Sequence, residues 1–173
     1  MHDLILAMYA APLLVAAFWD LATFRIPNTL NLIYLALFPL AALLAPGPVE
    51  WLWHLAAFGL VFVVGIGLFS FGLFGGGDVK LLIVAALWLG WHHLLELVVW
   101  VAMAGGAVAL LAVLEVSPIG QWLLALLRLP RILVREEVIE TGEDSPRKPR
   151  RHIPYGIGIC IGGLVMASKL PLL

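Results

Sequence analysis

The sequence predicts an all-α fold: one polytopic membrane domain over residues 1–173, with about six transmembrane helices. Three observations predict it. Of the 173 residues, 63% are hydrophobic and 12% charged, far from the roughly half-apolar, quarter-charged make-up of water-soluble domains. The charges fall between apolar blocks rather than on them. The blocks, at 4–19, 30–44, 51–74, 79–91, 94–116 and 153–170, approach the ~20 residues a helix needs to cross ~30 Å of hydrocarbon. A lipid bilayer is therefore the first partner expected, and no basic patch suggests nucleic acid.

The first block follows His2 and Asp3 rather than a basic segment, and no small-x-small cleavage site precedes the polar stretch after it; it reads as a retained helix, not a secretory leader. "RIPNT" then separates it from the second block and "APGPVE" the second from the third. "GGGD" precedes the fourth, and "GWHH" divides the fourth from the fifth. A cytoplasmic loop at 117–152 precedes the sixth. In that loop Pro118 should end the preceding helix, and residues 119–135 place Gln121, Arg128, Arg131 and Arg135 on one helical face. This predicts an amphipathic helix on the membrane surface, bent at Pro130, followed by a mixed-charge, solvated linker.

Orientation follows from the basic residues, which stay on the cytoplasmic side. Arg25, Lys80, Arg128, Arg131, Arg135, Arg147, Lys148, Arg150 and Arg151 fall in or beside three loops on one face, and only Lys169 falls on the other. Six spans with both termini outside satisfy nine of the ten basic residues. Trp19, Trp51, Trp53, Trp91 and Trp122 sit at span ends, where amphipathic rings prefer the headgroup zone. Gly158 and Gly162 make a small-x-x-x-small spacing that lets helices approach. Cys160, the one cysteine, permits neither an internal disulfide nor a Cys-x-x-Cys zinc clip. His92 and His93 point about 100° apart on a helix and do not chelate one ion together, so neither a metal nor another cofactor is expected. Glu96 and Glu115 sit near span ends, where solvation or local pairing is expected; Glu115 is placed to border the cytoplasmic side.

With this topology Asp20 closes the first span and Asp78 opens the fourth, both towards the cytoplasm. Singly, Asp20 reads as the first solvated residue after a span and Asp78 as a helix N-cap. Length argues for more. Thirteen residues at 79–91 make about 20 Å of helix, too short for the bilayer, and 4–19 makes about 24 Å. Both acids are thereby drawn below the membrane surface, where carboxylates are expensive and usually mark function. The run Gly75, Gly76, Gly77 is poor helix, and irregular backbone at that depth is tolerated only against protein or a wet cavity. Two carboxyl groups that meet share a proton. One then acts as general base on water while the other donates a hydrogen bond to a scissile carbonyl, which is peptide hydrolysis without metal, thiol or serine.

At these residues the chain resembles the type IV prepilin peptidases, membrane aspartyl proteases of the GxGD group. The matching pieces are "DLATFRIPN" (20–28), "GGGDVK" (75–80) and "IPYGIGI" (153–159). The resemblance implies that Asp20 and Asp78 are the catalytic pair of an inner-membrane enzyme. It further implies removal of a short basic leader from pilin-like precursors on the cytoplasmic side. Arg25, Ile26, Pro27 and Asn28 would shape the loop after the first acid. Gly75, Gly76, Gly77 and Lys80 would flank the second, and Pro154 and Tyr155 would line the site from the last span. Arg25 and Lys80 read equally well as topology-setting charges, and Pro27 and Pro154 as helix punctuation. Larger members also carry a four-cysteine zinc domain and methylate the new pilin N-terminus. This sequence has no such cysteines, so peptidase activity without N-methyltransferase activity is expected, as in short members serving Flp-type pili. The competing reading is a small proton- or ion-coupled transporter using the same acids, although no similarity between halves suggests inverted repeats.

Overall fold

The computed structural model describes residues 1–72, 74–127, 133, 135–137, 150–152 and 154–172. The first helix, α1 (His2–Thr23), buries Ile5, Tyr9, Leu13, Ala16 and Asp20, spaced as one face of an α-helix. Its 22 residues make about 33 Å. Phe24 ends it in the left-handed region at φ 55°, its N–H returning to the Asp20 carbonyl at 2.7 Å. A side chain in that conformation costs of order 1–2 kcal/mol, so packing holds this turn against its own preference.

Pro27, with its fixed φ, leads into α2 (Asn28–Leu44). This helix buries Asn31, Tyr34, Phe38 and Ala41. The next, α3 (Trp51–Ser70), buries His54, Ala57, Val61 and Gly65. In α4 (Gly76–Leu89) every residue from Ile83 to Leu89 is buried, the mark of a helix enclosed on all sides. Gly90 stops it at φ 68°, a conformation that favours glycine. One 3-10 turn at Trp91–His93 then leads into α5 (Leu94–Val116). Pro118 opens α6 (Pro118–Leu127) at a position that has no intrahelical N–H bond to lose. Two short strands, β1 (Arg135–Glu137) and β2 (Arg150–His152), pair antiparallel with Arg135 opposite His152. The last helix, α7 (Tyr155–Val165), runs into a 3-10 turn at Met166–Lys169.

The central helix α4 packs against α2, α3 and α7, while α7 packs most closely against α5 and also against α1. Helices in lipid gain little from burying apolar surface against each other, so close van der Waals contact decides these pairings. A Cβ on Gly158 would lie 2.6 Å from the Gly105 Cα, and one on Gly162 2.7 Å from the Val101 backbone N. The glycine spacing in α7 therefore sets its distance from α5. Beside this seam Tyr9, Tyr34, Phe38 and Trp88 form an aromatic cluster. Two of its polar atoms bond to backbone, Tyr9 donating to Gly163 O at 2.7 Å and Trp88 Nε1 to Tyr34 O at 3.2 Å, while the Tyr34 hydroxyl is buried without a hydrogen-bond partner among the described residues.

The helical architecture agrees with the composition and periodicity; nothing in the sequence announced the β1–β2 ribbon. Three segments, His2–Thr23, Trp51–Ser70 and Trp91–Val116, are long and apolar enough to cross a membrane, and Asn28–Leu44 and Tyr155–Lys169 are shorter apolar helices. Boundaries differ in ways that matter. The first helix runs to Thr23 rather than stopping at residue 19, so Asp20 lies within it, and it is not short. The fourth begins at Gly76, so two of the three glycines are helical and Asp78 stands in the first turn rather than at the N-cap, which is Gly75. Of the amphipathic helix expected at 119–135, a helix is observed over Pro118–Leu127, while Arg135, expected on the same helical face, instead begins strand β1, paired with His152; Arg128, Pro130, Arg131 and the mixed-charge stretch 138–149 lie outside the described residues. Glu96 is paired across the chain rather than locally, with Lys169 at 2.6 Å.

These contacts give glycines of opposite sensitivity. Gly158→Ala is expected to lower stability by about 1–3 kcal/mol through overpacking against α5. Gly67→Ala, whose Cβ meets nothing within 4 Å, is expected to raise it by about 0.5–1 kcal/mol. Thermal unfolding of the detergent-solubilised variants reads both.

Candidate active site

Asp20 continues the buried face of α1, one turn beyond Ala16, and is 3% exposed. Its surroundings come from two distant segments. A Cβ on Gly156 would lie 2.6 Å from Asp20 Oδ2 and 2.8 Å from Ile26 Cδ1, so the start of α7 reaches the acid only because residue 156 lacks a side chain. The backbone N–H groups of Gly156 and Ile157 bear on the carboxyl electrostatically. As first-turn amides they have no partner within the helix and carry the positive end of its dipole. Asp20 Oδ2 itself has no hydrogen-bond partner among the described residues.

Asp78 is half-buried in the first turn of α4. Its carboxyl folds back over Gly75, where a Cβ would meet Oδ2 at 2.8 Å. An acid at the third helical position is favoured by the exposed first-turn amides. Two carboxyl groups 58 positions apart in sequence stand at the same end of the bundle, because Ile26 packs against both Gly77, beside Asp78, and Gly156, which lies against Asp20.

A small set of contacts holds the three segments in place. Ile26, 7% exposed, is wedged between α4 and α7: a Cβ on Gly77 would lie 3.1 Å from its Cβ and its carbonyl oxygen. Asn31, buried in α2, donates from Nδ2 to Gly77 O at 3.3 Å. Lys80 Nζ donates to Asn28 Oδ1 at 2.7 Å. The second acid is therefore fastened to α2 on both sides of its own position.

Of the residues singled out from sequence, Asp20, Asp78, Gly75, Gly77 and Asn28 enter this arrangement directly. Gly76 lies under the Phe69 ring, 3.3 Å from its nearest atom to an added Cβ. Lys80 serves the α2–α4 contact, and no ion pair joins it to Asp78 among those the described residues make. Pro27 and Pro154 are the residues preceding α2 and α7, as their role in helix punctuation implies. Tyr155 sits with its ring 6.0 Å from Phe74 at the edge of the site. The Arg25 side chain is exposed, while its carbonyl accepts from the Thr23 hydroxyl at 3.0 Å. Glu115, at the α5 end, accepts from the backbone N–H of Leu133 at 3.0 Å. Among the described residues no three His, Cys, Asp or Glu side chains gather where they could hold a metal.

Sequence reasoning missed Asn31 and Gly156. Asn31 had a readable signal, a polar residue three positions after Asn28 on the apolar face of its helix. Gly156 was indistinguishable from the other glycines of its segment.

Gly156→Ala is expected to force Asp20 and Ile26 apart and lower stability by about 1–3 kcal/mol. Thermal unfolding checks it beside Gly47→Ala, a position whose added Cβ meets nothing within 4 Å.

Residues 7–110 match the type IV leader peptidase family, and both acids lie within the match. No curated protein and no solved structure matches the chain. Matched over more than half its length, with an acid-bearing helix pair at one end of an apolar bundle, the chain belongs to the type IV leader peptidase family.

Proposed function

We propose that the chain is an aspartyl endopeptidase that removes the basic leader from a type IV, Flp-like prepilin at the cytoplasmic face of the inner membrane, with Asp20 and Asp78 activating the water. The observation that carries this reading is that Ile26 packs against both Gly156, which lies against Asp20, and Gly77, the neighbour of Asp78, so that two acids inside the segment matching the family stand at one end of the bundle.

The chemistry follows from the pair sharing one proton. The ionised carboxyl takes a proton from water as the oxygen attacks the scissile carbonyl carbon, and the protonated one donates to the carbonyl oxygen. The tetrahedral diol then collapses. Its C–N bond breaks as one carboxyl gives its proton to the amine nitrogen and the other takes a proton from a diol hydroxyl, so the new carboxyl leaves with the leader and the pair again holds one proton. The amides of Gly156 and Ile157 fix Asp20 electrostatically, and the exposed Gly75, against which the Asp78 carboxyl lies, puts no side chain in the way of an extended backbone. Arg25 and Lys80 at the same end support a cytoplasmic site; Lys169, paired with Glu96, is the basic residue that this orientation leaves at the other end. The only cysteine is the buried Cys160, which supports cleavage without methyl transfer by this chain.

Purified protein in detergent is expected to cleave a prepilin bearing a basic leader, with a bell-shaped pH profile and no loss on adding a chelator. Asp20→Asn and Asp78→Asn, each still folded by thermal unfolding, are expected to lower kcat/KM by about a thousandfold or more. Cleavage that survives loss of either acid would remove the dyad from the mechanism.

A further inference from the structure

One cavity lies outside the acid pair, between α3 and α5. The two helices barely touch, since α3 packs on α4 and α5 on α7, and the space left between them, about 410 Å³, is open on one side. Val61 and Val64 line it from α3, Ala102 and Gly106 from α5, and Phe74 and Tyr155 close one end. Its walls are apolar throughout, and both flanking helices are long enough to cross a membrane. An occupant therefore lies at bilayer depth.

We infer that this groove receives the apolar helix that follows the leader in the substrate, holding its first turns while the peptide bond before them reaches the acids. The inference rests on the peptidase reading. Continuity selects the occupant. Tyr155 is followed by Gly156, which lies against Asp20, and Phe74 by Gly75, which lies against Asp78; their rings, 6.0 Å apart, stand where groove and acid site meet. A chain cut at the acids and continuing into an apolar groove at that depth must satisfy its own backbone N–H and C=O groups, and a helix does so. The volume suits roughly three large apolar side chains, the i, i+4, i+7 face of about two turns. An acyl chain would also fit the walls, but it has no reason to end at two carboxyl groups.

Ala102 and Gly106 allow a test that does not threaten the fold. Both are exposed, and a Cβ on Gly106 meets nothing within 4 Å. Ala102→Trp and Gly106→Leu fill the groove. The substrates are a full prepilin and a leader peptide truncated just past the cut. The ratio of kcat/KM for prepilin to that for the short peptide is expected to fall about tenfold in both variants, through KM. Leu43→Trp, on the 81% exposed lipid-facing side of α2, should leave the ratio unchanged. A photoreactive p-benzoylphenylalanine at 102, but not at 43, is expected to cross-link to the prepilin's apolar helix. An unchanged ratio, or cross-links only to phospholipid or to a second copy of the chain, would overturn the groove assignment while cleavage by the parent protein continued. Failure of the peptidase reading looks different: the parent cleaves neither substrate, and the groove assignment falls with it.

Discussion

The buried carboxyl of Asp20 sets the terms for much of this bundle. Moving a carboxyl group out of water costs several kcal/mol unless polar groups compensate it, and α1 by itself offers none, since every backbone N–H near residue 20 is used inside the helix. Compensation comes from the far end of the sequence, where the first turn of α7 brings the amides of Gly156 and Ile157 to the acid. That approach has a steric condition, met by Gly156. It also has a mechanical one, because α7 must be held at the right height and rotation. Gly158 and Gly162 set it against α5, and a Cβ on Gly163 would meet Leu13 at 2.9 Å. Tyr9 ties it to α1 by the bond to Gly163 O. A helix of 11 residues is positioned on three sides by contacts that require small residues.

The second acid is held by different means. The segment Gly75–Gly77 contributes no side chain to packing, so the start of α4 depends on Ile26, Asn31 and Lys80. These side chains all come from, or bond to, the turn after α1 and the first turns of α2. The same turn contains Phe24 in its unfavourable left-handed conformation. Strain of that kind persists where surrounding contacts over-determine the backbone, and it concentrates near functional groups. Asp20 Oδ2 and Asn31 Oδ1 are both buried without hydrogen-bond partners among the described residues. Native proteins leave few such atoms. Two in one region, beside a strained turn, mark a place where stability has yielded to a requirement other than folding.

Several parts of this were legible in the sequence. Asp20 and Asp78 stood out because a charge inside or beside an apolar run has few reasons to be there, and the pattern of basic loops put them at one end. The reason for their depth was legible only in part. The expectation of short helices holds for α4, at 14 residues, but not for α1, which is 22 residues long and carries Asp20 inward simply by continuing one turn past it. Helix ends are poorly marked when every flanking residue is apolar, and "DLAT" gives no stop signal until the turn at Phe24. The three glycines were read as non-helical on propensity alone. In α4 tertiary contacts with Ile26 and Asn31 stabilise the first turn, and such contacts override propensity. Gly156 and the Glu96–Lys169 pair share a further cause of invisibility: each joins positions more than seventy residues apart, and periodicity carries no information at that range.

The two ends of the bundle are fastened by different chemistry, and the difference bears on how a membrane protein can expose polar groups without losing its fold. At the end away from the acids most polar side chains are engaged, although His93 Nδ1 is buried without a hydrogen-bond partner among the described residues. His54 Nδ1 bonds the Leu87 carbonyl at 2.7 Å, Lys169 holds Glu96, and the Trp53 ring makes tilted contacts with Trp91 and His92. Together they fix the last turn of α4, the following 3-10 turn and the C-terminal segment. Hydrogen bonds and ring contacts of this kind tolerate little displacement. At the acid end the fastening is largely glycine against carboxyl or aliphatic carbon, with no direct hydrogen bond between α1 and α4 among the described residues. Contacts made by van der Waals approach lose energy gradually as surfaces slide, whereas the bond from the buried Asn31 to Gly77 O keeps α2 and α4 together, since parting them would orphan its donor. A bundle closed rigidly at one end and held by small residues at the other can let an extended chain in beside the carboxyl groups while the aromatic core around Trp88 stays as it is.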